Sequence, residues 1–306
     1  MGKNSKKSRT WPSLPSPLAA PVIDNHTHLA THELAIPKAS DVRPSVETQI
    51  EWARQVGVVG AITSACELPE FQPTCELARQ LTGVRVAVAI HPNEAALHAG
   101  HADPSPDGLT PQPLSHHVPL VDALVEVEQA LKDPMVVAVG ETGLDYFRTA
   151  QPGRTAQIES FRSHLQLARE VDLPVQIHDR DAHADTLAVL DESADVSQRI
   201  VFHCYSGDRE MAERLKDNGW YASFAGPLTY PANTHLREAL LTLPRELVLV
   251  ETDAPYLTPV PERGNPNASY VMAHTVRMIA DLWDLAEDEA CHQLMENTQR
   301  VYGRWV

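Results

Sequence analysis

The chain has 306 residues, 43 % of them hydrophobic, which is enough for the core of one large domain. Its 25 basic and 41 acidic residues give a formal net charge of −16, which excludes a general nucleic-acid coat protein because such a surface repels phosphate. No apolar run is long enough to span a membrane and the start carries no secretory signal, so we expect a cytoplasmic protein without membrane contact. The four cysteines form no C-x-x-C pair and are expected to be buried thiols.

Residues 1–20 are basic and then rich in proline. This composition predicts a disordered tail, followed by one domain over residues 21–306. The basic residues of the tail are then either a solvated terminus or a means of offsetting repulsion from nucleic acid.

Short apolar runs with little polar alternation recur along the chain and predict strands buried on both faces. They cover residues 22–28, 58–65, 84–91, 136–141, 175–178, 200–203, 220–226 and 247–253. Amphipathic stretches with helical spacing separate most of them, at 45–56, 120–132, 154–170, 209–218 and 234–242, and two closing helices are expected over 268–303. Strand–helix alternation over about 250 residues predicts an α/β fold, a single-domain (β/α)₈ barrel of the TIM type.

The alternative is an open doubly wound sheet, which usually carries a glycine-rich turn after its first strand. Here the first strand ends in HTH, which favours the barrel. Residues 98–119 are rich in Pro, Gly, Asp and His and predict a surface insertion after the third strand. Its histidines are expected to be solvated, although a His-rich loop can bind metal adventitiously. They are His98, His101, His116 and His117.

Five of the strand runs end in a residue type that binds metal ions. These residues are His26, His28, Glu141, His178, His203 and Asp253. The carboxyl ends of parallel barrel strands lie on one face, so the six side chains are expected to converge there. Each residue alone has an ordinary structural interpretation, such as a hydrogen-bonded core histidine or a turn aspartate. The metal-site hypothesis therefore depends on their joint placement.

His26 and His28 are two apart on a strand, so their side chains point to one face and can bind one cation, which Asp253 can complete. Glu141 has two oxygens and can bridge to a second cation. Imidazole and carboxylate ligands suit zinc, manganese, iron or nickel, and magnesium less well. Two such ions about 3.5–4 Å apart activate water and hold the attacking and leaving oxygens of a hydrolysis.

His178 and His203 can hold the second of these cations, and Asp253 can also take the proton of the attacking water. His91 ends the third strand before Pro92 and faces the same rim. We expect His91 to contact substrate rather than metal.

Six motifs stand at or near these strand ends: DNHTHL (24–29), IHPNEA (90–95), GETGLDY (140–146), PVQIHDRDA (174–182), FHCYSG (202–207) and ETDAPYLTPVPERGNPN (251–267). With them the chain resembles one family, the TatD-type metal-dependent deoxyribonucleases, which are amidohydrolase-like barrels. The resemblance implies one metal site from His26, His28, Glu141 and Asp253 and a second from Glu141, His178 and His203. It also implies that His91 faces the substrate phosphate.

Glu141 stands where many related amidohydrolases use a carboxylated lysine, which favours the TatD branch over phosphotriesterase- or dihydroorotase-like branches. The chain departs from the family pattern at Ala30, where an acidic residue is usual, and in the segment GNPNAS after Arg263. These departures concern substrate preference more than metal chemistry.

The sequence thus predicts a hydrolase with two divalent cations that acts on DNA, without an obligate protein partner. The resemblance alone implies a 3′–5′ exonuclease on single strands. One alternative is the hydrolysis of a carboxylic ester, lactone or aminoacyl bond by the same ions. Another is a non-catalytic barrel stabilised by metal, which is disfavoured because structural zinc sites are closed and often contain cysteine.

Overall fold

The computed structural model describes residues 9–306. Within them, eight parallel strands follow one another around a single sheet in chain order. They are β1 Val22–Thr27, β2 Val58–Ala65, β3 Val84–Val88, β4 Val136–Asp145, β5 Val175–Arg180, β6 Ile200–Phe202, β7 Tyr221–Phe224 and β8 Val248–Val250. The predicted (β/α)₈ barrel is therefore confirmed, as a nearly closed ring of strands in one domain.

Helices alternate with these strands. They are α1 Val46–Gln55, α2 Phe71–Gln80, α3 Pro92–His98, α4 Leu120–Ala130, α5 Arg154–Glu170, α6 His183–Ser193, α7 Arg209–Asn218, α8 Thr234–Thr242, α9 Ala273–Trp283 and α10 Glu287–Tyr302. The side chains of Ser45 and Asp208 accept backbone N–H groups at the starts of α1 and α7, which fixes where these helices begin. Among residues 9–306 no helix combines the length and the apolar character that a membrane crossing requires.

The apolar strand runs pack on both of their faces, as predicted. Alternate residues belong to two different clusters: Val86 and Val88 lie in the large core beneath the helices, while Ala87 lies in a smaller one. Because successive strand side chains point to opposite faces, the smaller cluster lines the inside of the barrel. Leu249 of β8 and Tyr302 of α10 also belong to it.

The end of α10 closes the amino-terminal mouth of the barrel. The Asn297 amide donates to the carbonyl of Val248 at the start of β8 over 2.7 Å, and the Trp305 indole N–H donates to the Gly83 carbonyl before β3 over 3.1 Å. The opposite, carboxyl-terminal mouth is the one that carries the candidate site.

The seam between β8 and β1 is closed just beyond the strand ends. The Asp253 N–H donates to the His26 carbonyl over 3.0 Å, and the His28 N–H donates to the Ala254 carbonyl over 2.7 Å. These bonds place the first and last candidate ligands of the chain side by side.

Part of the predicted disordered tail is packed on the barrel, so that prediction is wrong for residues 9–20. Leu18 and Ala20 are buried, and the Tyr270 hydroxyl donates to the Pro12 carbonyl over 2.8 Å. Arg277 donates to the Ser16 carbonyl over 2.7 Å. Proline-rich backbone lacks N–H donors but keeps its carbonyls, which the barrel satisfies here. Residues 1–8, with Lys3, Lys6 and Lys7, lie outside the described residues.

The insertion begins with the last residue of α3 and reaches α4, and two of its histidines are less exposed than expected. His98 is only 5 % exposed and the His117 side chain only 3 %. The expectation that the insertion histidines are solvated is therefore wrong for these two residues. Each is held by a backbone group of the insertion itself: the His98 ring lies 2.7 Å from the Val118 carbonyl, and the His117 ring accepts from the Leu114 N–H.

Candidate metal centre

The six predicted ligands converge at the carboxyl-terminal mouth of the barrel, as expected from the strand ends. Five of them line an open cleft with a volume of about 1020 Å³, and His26 lies beneath its floor. His26 is fully buried, whereas His28 and Asp253 keep partial access to the cleft. An enclosed floor below an open mouth is the arrangement of a site that admits substrate.

The first group comprises His26, His28 and Asp253, whose potential ligand atoms lie within 4.8 Å of one another. His28 Nε2 is 3.3 Å from His26 Nε2 and 3.3 Å from Asp253 Oδ1. The side chain of Asp253 reaches this group from a left-handed backbone conformation, with a φ of 52°. The turn ETDAP after β8 thereby directs the carboxylate to the two histidines of β1.

The second group is formed around Glu141. Its Oε2 lies 2.5 Å from His203 Nε2 and 2.9 Å from His178 Nδ1, and these two ring nitrogens are 3.5 Å apart. Its other oxygen, Oε1, lies 3.7 Å from His28 Nε2 and 4.0 Å from His26 Nε2. Glu141 therefore faces both groups at once, one with each oxygen.

Two glycines near Glu141, Gly140 and Gly143, allow strand β4 to pack closely against β5. A Cβ on Gly143 would lie 2.1 Å from the His178 carbonyl oxygen, and one on Gly140 would lie 2.5 Å from Gln176 Cβ. Gly143 also has a φ of 137°, which side chains rarely adopt. The GETG motif thus brings the carboxylate of β4 next to the histidine of β5.

The hydrogen bonds of His26 show that this donor set fits a cation. Gln176 donates with Nε2 to the carbonyl of Asn25, so its Oε1 accepts from His26 Nδ1, 3.0 Å away. His26 Nε2 then carries a lone pair, and its neighbours are His28 Nε2 at 3.3 Å and the carboxylates of Glu141 and Asp253, each 4.0 Å away. Burial lowers the pKa of His26 to about 3, so a proton does not resolve this arrangement. A bound cation would.

Burial alone would lower the pKa of His178, but hydrogen bonds to Asp145 and Glu141 outweigh it and raise that pKa to about 9. The pKa of Glu141 is held well below its usual range, because the charges of His203 and His91 overcome the opposing effect of burial. The carboxylates of the centre are therefore ionised near neutral pH, as metal ligands must be, whereas His178 keeps its proton there and would have to release it on binding a cation.

His91 lies at the edge of the second group. Its Nε2 is 4.0 Å from Glu141 Oε1, and its Nδ1 accepts the N–H of Asn93 over 3.1 Å. Together with His178 and Asp145 it forms another cluster whose potential ligand atoms lie within 4.8 Å. His91 is thus within reach of both the candidate ligands and the cleft.

Four further residues contact the centre and were not predicted from the sequence. Asp145 Oδ2 lies 3.1 Å from His178 Nε2, Glu251 Oε1 lies 3.4 Å from His203 Nδ1, and Cys66 Sγ lies 3.5 Å from Glu141 Oε1. Gln176 holds His26, as described. Asp145 had a usable signal, because it is four residues after Glu141 in one strand and so shares its face. Cys66, expected only to be a buried thiol, is partly exposed and contacts the centre.

The walls of the cleft carry groups suited to a polyanion. Arg148 and Arg180 line it, with Asn93, Ser206 and Tyr256. The Arg180 guanidinium lies 4.0 Å above the ring of Phe147, which holds it in place. Despite the negative net charge of the chain, these two guanidinium groups offer local sites for phosphate oxygens.

Comparisons with known proteins agree with this geometry. Residues 23–303 match the family model described as "TatD related DNase". The chain is 34 % identical over 289 residues to an uncharacterized metal-dependent hydrolase named TatD from Mycobacterium tuberculosis, covering 92 % of this chain and 98 % of that protein. It is 42 % identical over 167 residues to the uncharacterized metal-dependent hydrolase YcfH of Escherichia coli, covering 55 % of this chain and 63 % of that one.

Among solved structures, the chain is similar to YjjV of Escherichia coli, described as a TatD homolog. The TM-score is 0.75 at 27 % identity, and the alignment covers 92 % of this chain and 98 % of that one. A TatD family hydrolase from Entamoeba histolytica has a TM-score of 0.72 at 18 % identity, covering 93 % and 99 %, which shows likeness of fold alone.

Proposed function

Since the chain belongs to the TatD-related DNase family of metal-dependent hydrolases, we propose that it hydrolyses phosphodiester bonds of DNA, removing nucleotides from the 3′ ends of single strands. The observation that carries the proposal is the convergence of four imidazoles and two carboxylates on one cleft floor, with Glu141 facing both groups. The 3′–5′ direction and the preference for single strands derive from the family resemblance.

In this proposal His26, His28 and Asp253 hold one divalent cation, with Glu141 shared between it and a second. His178 and His203 complete the second. When bound, such ions lower the pKa of water and stabilise the negative charge that develops on phosphate oxygens. Zinc, manganese and nickel suit these ligands, and magnesium suits them less.

The remaining chemistry belongs to side chains of the chain itself. Asp253 is partly exposed to the cleft, and its pKa is held below the usual range because the hydrogen bond and charge of His28 overcome burial. An ionised carboxylate at this place accepts the proton of an attacking water. His91 and the two cleft arginines, Arg148 and Arg180, orient the phosphate of the scissile bond.

Hydrolysis of a carboxylic ester, lactone or aminoacyl bond is the second candidate, because the same donor set suits attack on a carbonyl carbon. The arginines of the cleft favour the phosphodiester: they match phosphate in charge and geometry, whereas a neutral ester needs no such partner. A purely structural metal site is disfavoured because the candidate ligands open onto a large cleft.

The test uses a short single-stranded DNA labelled at either end, incubated with zinc, manganese, nickel or magnesium, alongside a panel of neutral esters and lactones. We expect metal-dependent shortening from the 3′ end, lost in EDTA and in the Glu141→Gln variant. Hydrolysis of an ester without any cleavage of DNA would favour the second candidate and overturn the first. Shortening from the 5′ end would overturn the proposed polarity alone.

A further inference from the structure

A second group of histidines and carboxylates lies away from the barrel axis, at the rim of the cleft. It comprises Glu67 after β2, Glu94 in the first turn of α3, and His116 and His117 near the end of the 98–119 insertion. Potential ligand atoms of Glu94, His116 and His117 lie within 4.8 Å of one another. The tertiary structure thus gathers three separate segments around one point.

His116 is the centre of this group. Its Nε2 is buried and has no hydrogen-bond partner within the described part of the chain, yet it lies 3.5 Å from Glu67 Oε2 and 3.9 Å from Glu94 Oε2. Both separations are too long for a good hydrogen bond. They are close to the separation of about 3.3 Å between ligand atoms around a tetrahedral ion with bonds of about 2.0 Å.

His117 has a different role, which its hydrogen bonds reveal. The Leu114 N–H donates to His117 Nδ1 over 2.7 Å, so the proton of the neutral ring is on Nε2. That Nε2–H donates to Glu94 Oε2 over 2.7 Å. His117 therefore orients the Glu94 carboxylate, in the way that outer residues support the ligands of metal sites.

The carboxylates of this group repel one another without a counter-charge. Burial, and then the charges of Glu94 and Glu70, raise the pKa of Glu67 to about 7. Within 4 Å of the Glu67 and Glu94 carboxylates, the described residues supply no lysine or arginine partner. A cation would relieve this repulsion and would give His116 Nε2 its missing partner.

We propose that His116, Glu94 and Glu67 bind one transition-metal cation of the zinc class, with His117 supporting Glu94 from behind. One imidazole and two carboxylates suit zinc or manganese. Such an ion ties the insertion to the loop after β2, since Glu67 also lines the cleft. The site is separate from the centre around Glu141, and it does not depend on the proposed nuclease activity.

The test measures bound zinc per chain by equilibrium dialysis at micromolar zinc, followed by elemental analysis. We expect His116→Ala and Glu67→Gln each to bind one ion fewer than the unsubstituted protein. His101→Ala is the matched control, because it removes an imidazole from the same insertion but outside the cluster, and it should bind the full number.

Two further arms make the result decisive. The Glu67 side chain is 38 % exposed and glutamine has the same shape, so we expect Glu67→Gln to fold normally. This variant supplies the result if circular dichroism shows that His116→Ala folds poorly. Repeating both substitutions in a Glu141→Ala background reveals the rim ion without the ions of the centre. Unchanged zinc content in Glu67→Gln and His116→Ala, or binding only at millimolar zinc, would overturn the proposal.

Discussion

Replacing Glu141 by glutamine tests the candidate metal centre most directly, because this carboxylate faces both groups of histidines. The change keeps the size of the side chain and removes one negative charge. In the unsubstituted protein, the two carboxylate oxygens of Glu141 lie 2.5 Å from His203 Nε2 and 3.7 Å from His28 Nε2, respectively. We expect the variant to lose tight binding of divalent cations and, with it, hydrolytic activity.

The size of the loss follows from these distances. Two unit charges 4 Å apart interact by roughly 4 kcal/mol at an effective dielectric constant near 20, and each 1.4 kcal/mol is about a tenfold change in affinity. Removing the carboxylate charge therefore weakens cation binding at least about a thousandfold for each positive charge that it faces. Both groups should be affected, because Glu141 directs one oxygen to each.

The assay is titration calorimetry of the apo protein with zinc and with manganese, together with turnover of the DNA substrate. Glu128→Gln is the matched control: it removes the same charge from the exposed surface of α4 and should leave both measurements unchanged. If Glu141→Gln bound the same number of ions with similar affinity and kept its turnover, a shared carboxylate at the centre of the site would be refuted.

Three other changes probe the surroundings of the site and the fold. Gln176→Leu removes the acceptor 3.0 Å from His26 Nδ1, and we expect about a 10–100-fold loss of metal affinity in dialysis; an unchanged affinity would mean that this bond does not orient the ligand. Burial lowers the pKa of His164 from 6.5 to about 4. The contribution of the neutral ring to the free energy of unfolding is therefore complete above pH 6.5. Roughly 3 kcal/mol of this free energy is lost as the pH falls from 6.5 through 4. His164→Gln should flatten this part of the pH dependence of the unfolding free energy, and a parallel curve would contradict the argument. Tyr270→Phe removes the donor to the Pro12 carbonyl and should lower the unfolding free energy by about 1 kcal/mol in urea; no change would mean that residues 9–20 do not pack on the barrel in solution.

The amino-acid sequence alone is enough to predict the barrel and the main ligand candidates. Strands buried on both faces must be apolar, so short apolar runs bounded by polar residues predict their positions. The last residue of each run is then placed on one face by the topology of a parallel barrel. Residues such as Glu141 and His203 could be assigned to a common site without knowledge of any distance.

Local patterning was less informative where packing decides the structure. Helices α2, α3 and α6 were not singled out, and α6 (HADTLAVLDES) has little one-sided apolar patterning. Residues 9–20 have the composition of a disordered segment, yet their carbonyls accept bonds from α9 and from the segment before it. Composition describes the segment by itself, whereas its order depends on donors supplied by another part of the chain.

Only the tertiary structure identifies the partners that tune the site. His26 meets Gln176 across 150 positions of sequence, and Glu67 meets His116 in an insertion whose histidines were expected to be solvated, with metal binding only adventitious. The sequence determined which side chains reach the barrel mouth, because strand periodicity is local. Contacts between distant strands and loops decide which ring nitrogen of a histidine keeps its proton and which one faces the carboxylates. The sequence does not show these contacts, because a hydrogen-bond partner is set by proximity in space.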